Sequence, residues 1–320
     1  RRRTRGVAGV GSRVPLVRTE RLTFGDYYDR DVIKVMWPAR LKQITFGKKF
    51  NQSLRGVRWP ATLAHIHLGC SFNQPLDGMS WPPNLETIVF GRDFNCSLEC
   101  VRWPMCIREI MLGTHFNQTL IGIEWPTELK KLHMGWAFNQ PIEGVMWPEG
   151  LQHIALSYMF DQPVAAAMFP CHLRALEFGV MFDQDVTSVN WPVSLKWLSF
   201  GCRFTQTLEH TRLPQGLEGL ELGCSWNHPL VSINLPESLT SLQLGYDFDQ
   251  PLEGVSWPLR LTHLSIDDSF NQPLAGVKWP PSLESLHIGD AFDQSLSVVN
   301  WPGSLKTAVF GARMTVDRQS

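Results

Sequence analysis

No stretch of this 320-residue chain approaches the run of about eighteen apolar residues that a transmembrane helix needs, so none is expected. The basic start "RRRTRGVAGVGSR" lacks the apolar core of a secretory signal. The seven cysteines are odd in number and contain no C-x-x-C pair. That argues against a disulfide framework and a zinc knuckle, and for reduced thiols in an intracellular, cytoplasmic protein. No window free of Pro and Gly is long enough for a two-turn helix, so few or no helices are expected. Strong net charge is also missing, since the sum is -1. The sum hides an asymmetry: residues 1–21 carry seven Arg and one Glu, leaving a mildly acidic remainder. Non-specific nucleic-acid binding through that acidic body is not expected. Residues 1–21 read as a basic flexible arm or linker, 22–314 as a single solenoid, and 315–320 as a tail.

What is present is a period. Trp-Pro occurs at Trp37, Trp59, Trp81, Trp103, Trp125, Trp147, Trp191, Trp257, Trp279 and Trp301, always 22 residues or a multiple of 22 apart. The gaps are filled in phase by Phe169-Pro170, Leu213-Pro214 and Leu235-Pro236, which makes thirteen coils without an insertion. A partial coil precedes them, with Leu22, Phe24, Gly25, Tyr28 and Val32 in register. In the coil from Trp81, Ile88 and Phe90 alternate with variable residues between Pro82 and Gly91. That is the period of a half-buried strand. Each coil is therefore one short strand with a turn-rich return, and stacked coils bury a shared core with their strands parallel. Strand spacing of about 4.8 Å implies an array on the order of 60 Å long.

Leu63-x-x-Ile66-x-Leu68 and Leu239-x-x-Leu242-x-Leu244 resemble the strand signature of leucine-rich repeats. "LPQGLEGLEL" and "LPESLTSLQL" resemble the short repeats of bacterial effector proteins. "FNQP" at Phe72–Pro75, Phe138–Pro141 and Phe270–Pro273, with "FDQP" at Phe160 and Phe248, is similar to the FNIP repeat family, a 22-residue relative of the leucine-rich repeat. Trp-Pro stands here where that family usually shows Leu-Pro. The resemblance implies a mainly β, leucine-rich-repeat-like solenoid with one parallel strand per coil. It also suggests, from the architecture of family members that carry an F-box ahead of their repeats, a substrate-recognition role. No F-box-like helical segment precedes Leu22, and neither end shows a polar cap, so a longer parent chain is expected.

Stacking turns each repeat position into a column. The one after the Phe reads Asn51, Asn73, Asn95, Asn117, Asn139, Asp161, Asp183, Thr205, Asn227, Asp249, Asn271 and Asp293. Short polar side chains at a turn fit a hydrogen-bond ladder to the backbone better than a row of metal ligands. Only Asp161 and Asp183 together suggest a cation. The sequons at Asn51, Asn95 and Asn117 would be accidental if this column faces inward. Gln52 to Gln294 form a similar scaffold column.

Walker loop, dinucleotide fingerprint, nucleophile elbow and H-E-x-x-H are all missing, and no cofactor is expected. Function must then use the two outward columns of the strands. His65 and His67 share one face, but the nearest further outward ligand type, Glu109, is two coils away. The densest group is Glu109, Met111, Lys131, His133, His153 and Trp197 on the sheet face, with Trp136 and Tyr158 in the loop after the strand. Aromatics, Met and charged residues on one concave face suit a protein partner of undetermined identity. Glycan binding by the concave Trp, His and carboxylate groups is the alternative, and an enzyme using Glu109 and His133 the remaining one. The sequence does not fix the oligomeric state.

Overall fold

The computed structural model describes residues 18–311, in two compact units that meet in sequence between Ser157 and Tyr158. Residues 1–17 of the expected arm, and the expected tail, lie outside the described residues. The first unit holds β1 (Arg21–Thr23), β2 (Gln43–Thr45), β3 (His65–His67), β4 (Thr87–Val89), β5 (Glu109–Met111), β6 (Lys131–His133) and β7 (His153–Ala155). The second holds β8 (Ala175–Glu177), β9 (Trp197–Ser199), β10 (Gly219–Glu221), β11 (Ser241–Leu244), β12 (His263–Ile266), β13 (Ser285–Ile288) and β14 (Thr307–Phe310). Within each unit neighbouring strands pair in parallel, one coil apart in register, as in Ile66↔Ile88 and Leu242↔Leu264. The molecule is a parallel β-solenoid of 22-residue coils. Its one helix among the described residues is a three-residue 3-10 turn, Leu230–Ser232. No described helix is long and apolar enough to cross a membrane.

Three turns close each coil, and each explains a sequence column. In the P-x-x-L turn the Leu63 N–H donates to the Pro60 carbonyl at 3.1 Å. In G-x-x-F the Phe72 N–H donates to the Gly69 carbonyl at 3.0 Å. In L-x-G-V the Val57 N–H donates to the Leu54 carbonyl at 3.2 Å, with Gly56 at φ 78°. A positive φ at the third residue defines a type II turn, and Gly meets it without steric cost. The Gly of G-x-x-F is required for a different reason. A Cβ on Gly91 would lie 1.8 Å from the carbonyl oxygen of Gly69 in the preceding coil.

Inward columns form the core. Ile66, Ile88, Ile110, Leu132 and Ile154 at the strand centres are fully buried, as are Phe50, Phe72, Phe94, Phe116 and Phe138. Those Phe rings stack at 6.1–6.3 Å between centroids. In the second unit the Phe160–Phe182 and Phe248–Phe270 pairs repeat this at 6.1 Å. Strands in a sheet lie only about 4.8 Å apart. Coils that stand wider at the Phe column than at the sheet must splay, so within each unit the sheet is the inner, concave side.

The indoles of the Trp column stack as well, at 5.3 Å for Trp37–Trp59 and 5.6 Å for Trp81–Trp103. Their N–H groups, from Trp37 to Trp279, are buried with no acceptor. Each such donor costs about 1–3 kcal/mol of desolvation, offset here by the area the ring buries.

The polar column is a ladder. Asn73 Oδ1 accepts the Asn95 N–H at 2.9 Å, and Asn95 Oδ1 accepts both the Asn117 N–H at 2.9 Å and the Gln118 side-chain amide at 3.0 Å. The Asn and Gln columns are thus one device. The column does not face inward. Asn51 and Asn117 are half-buried, and Asn73 and Asn95 are exposed, because the ladder runs along the edge where the Phe turn meets solvent. In the second unit Asp161 and Asp183 are rungs of the same kind. Asp161 accepts from the Asp183 N–H and the Gln184 amide, and Asp183 from Thr205 and Gln206. Burial alone would raise the Asp183 carboxyl, but the bonds from Gln206 and Thr205 outweigh it and hold it below its ordinary value.

Candidate partner-binding face

Alternation along each strand sends the central residue into the core and its two neighbours onto the concave face. In the first unit this sets Glu109, Lys131 and His153 in one row and Met111, His133 and Ala155 in the next. The rows interact diagonally. His133 Nε2 lies 3.5 Å from Glu109 Oε1, with the two side chains 27% and 33% exposed. The His133 and His153 rings meet edge-to-face at 5.3 Å. Met111 flanks this chain, 38% exposed. Trp136, in the loop after β6, is 54% exposed. A half-buried polar chain beside exposed Met and Trp can give a partner both directional hydrogen bonds and apolar contact.

Tyr158 and Trp197 belong to the second unit. Tyr158 is half-buried after its coil's strand, and its carbonyl accepts the Met181 N–H at 2.9 Å. Trp197 is half-buried, and its indole covers Gly219 on the adjacent strand, where a Cβ would stand 2.1 Å from Trp197 Cε3. Gly219 is therefore the partner that lets Trp197 lie down. On the same strand as Trp197, Ser199 donates to Glu221 Oε2 at 2.7 Å, a contact the columns gave no hint of.

His65 and His67 lie between Gln43 and Thr45 on one side and Thr87 and Val89 on the other. No third imidazole or carboxylate adjoins them in the sheet. Burial pushes the His67 imidazole below its ordinary value, and His65 lowers it further. All seven cysteines are free thiols. Cys224 is pushed up to about 11 by burial and by its contact with Cys202 on the neighbouring coil.

The FNIP repeat matches residues 50–93, 72–107, 138–180, 182–225, 226–269 and 270–312. The chain belongs to the FNIP repeat family. No curated protein matches it. Among solved structures, these FNIP coils resemble CroV588, a novel circular leucine-rich-repeat protein, at 28% identity and a TM-score of 0.63. The match covers 92% of this chain but only 53% of that one, so the chain spans about half the length of that protein. An internalin of Listeria monocytogenes shares the fold at 14% identity and a TM-score of 0.56, over 85% of this chain and 82% of its own. FNIP coils are thus leucine-rich-repeat-like solenoid coils, a family generally non-catalytic.

Proposed function

We propose that this FNIP solenoid is a non-catalytic protein-binding module whose partner lies on the concave sheet face. The observation that carries this reading is the linked Glu109–His133–His153 chain bordered by exposed Met111 and Trp136. Lys131 completes the first-unit surface, and Tyr158 and Trp197 supply a second group of contacts. The Trp, Leu, Phe, Asn and Gln columns have packing or backbone-bonding duties, whereas the strand-face residues are at liberty to vary with a partner. Substrate recognition for a larger assembly is one such use. The free thiols fit an intracellular, cytoplasmic setting. Trp197, with one indole face on Gly219, offers a platform for a sugar ring and supports glycan binding as the second reading.

The test is photo-crosslinking from position 111 in cells, with His133→Glu and Trp136→Ala as companions. A protein adduct at position 111 that both companions abolish is the expected result. An adduct that neither affects, or none at all, overturns the assignment. Glycan-array hits lost with Trp197→Ala would favour the second reading.

A further inference from the structure

The second unit holds an open cleft of about 530 Å³ on the return side of the coils, away from the strand columns. Its polar lining is Thr187, Ser188, Asn190, His210 and Arg212, over Val189 and Trp191. The sequence is unusual at this place. Six coils pass the L-x-G-V turn with a left-handed Gly, as at Gly122, Gly144, Gly254 and Gly276, whereas Cys100, Ala166, Ser232 and Val298 hold the position in others. Here Ser188 and His210 take that position, and among the described residues no non-Gly residue has a positive φ. The turn survives, since the Thr211 N–H still donates to the Leu208 carbonyl at 3.0 Å, but without the type II form. The next column is apolar in every other coil and becomes Thr211 here. Thr211 is 6% exposed, and its hydroxyl has no partner. Its sequence neighbours His210 and Arg212 both line the cleft.

We propose that this cleft binds an oxyanion, a phosphate or a carboxylate group. Arg212 offers a planar fork of donors suited to two anionic oxygens. Ser188, Asn190, His210 and Arg212 hold no hydrogen bond or ion pair with other described residues, so their donors are uncommitted. Of the nearby acids, Asp185 is engaged with its own loop, its Oδ1 accepting the Thr187 N–H at 2.9 Å, and Glu209 is exposed outside the lining. The buried Thr211 hydroxyl, between these lining residues in sequence but not itself in the lining, is a scaffold irregularity that costs stability while unpaired.

The experiment titrates inorganic phosphate and, separately, acetate into the full chain, following the His210 ring resonances by NMR with chloride as the control. Saturable shifts within tens of millimolar are expected for phosphate, for acetate or for both. Phosphate alone identifies a phosphate site, and acetate alone a carboxylate site. Arg212→Gln, an exposed change that leaves the core intact, should weaken binding about tenfold or more. Thr211→Val, which restores the column's apolar character away from the lining, should leave both folding and binding unharmed. Shifts matched by chloride, no saturable shift, or full binding by Arg212→Gln would each overturn the proposal.

Discussion

The coils between Gly47 and Asn139 and those between Gly201 and Pro236 follow one plan with different fidelity. In the first stretch every rung of the ladder from Asn51 to Asn117 is a carboxamide that accepts from the next coil, the last from the Asn139 N–H. In the second, Thr205 has no side-chain carbonyl to offer. Its hydroxyl donates back to Asp183, at 2.9 and 3.1 Å to the two carboxylate oxygens. The first stretch fills the Trp column with indoles whose N–H groups lack acceptors. The second uses Leu213 and Leu235 there and moves its indole into the Phe column, where Trp226 is fully buried and donates to the Gln206 carbonyl at 3.0 Å. Within Gly201–Pro236 these departures fall together. A column that only packs is kept; several columns that change together mark a stretch released from pure scaffolding.

The sharpest way to break the regular stretch is at its closest approach. Gly91→Ala puts a Cβ against the Gly69 carbonyl and should cost about 3 kcal/mol in urea unfolding. Gly303→Ala, which meets nothing within 4 Å, should change stability by less than about 0.5 kcal/mol. Equal losses would show that the glycines serve turns alone.

The ladder gives a smaller effect of two signs. Asn95→Leu removes the acceptor for the Asn117 N–H and the Gln118 amide and should cost about 1–2 kcal/mol. Thr205→Asn restores the missing acceptor and should gain about 0.5–1 kcal/mol, read from the same unfolding curves. A destabilised Thr205→Asn would mean that the second stretch is not an interrupted version of the first.

The smallest effect is in pH, and the two units should differ in sign. His67 has its folded value depressed by burial, so its share of stability is present above the ordinary imidazole value and is lost as pH falls through the depressed one. Asp267 has its carboxyl raised by burial and then by Asp268, with His287 opposing. Its share is present below the ordinary carboxylate value and is lost as pH rises through the raised one. His67→Gln should therefore flatten the acid side of the stability profile, whereas Asp267→Asn should raise stability at neutral pH. Urea midpoints across pH would read both.

Much of this was legible in the sequence because columns repeat. The Trp-Pro spacing gave the coil, and the alternation at Ile88 gave the strand, which runs Thr87–Val89 with Phe90 just past its end. The Asn column announced a ladder, although its place at the surface depends on where the Phe turn meets solvent. Diagonal partners were not legible: the Glu109–His133 contact depends on side-chain rotamers across two strands. Nor was the packing of Trp197 on Gly219, since a Gly in a variable column looks like any other substitution. Asp267 was invisible for the opposite reason. It stands in the close-approach glycine column without disturbing the 22-residue count, in the part of the chain where strands run to four residues.

The ladder has a consequence for how such a chain can change length. Carboxamide rungs such as Asn95 accept from the coil that follows, by bonds between residues 22 or 23 positions apart. One inserted residue moves every later rung, glycine and ring out of phase at once. A whole inserted coil moves none of them, because each new rung meets the same acceptor as the old. Length here is counted in coils, and duplication or loss of an entire coil is the change the architecture tolerates best.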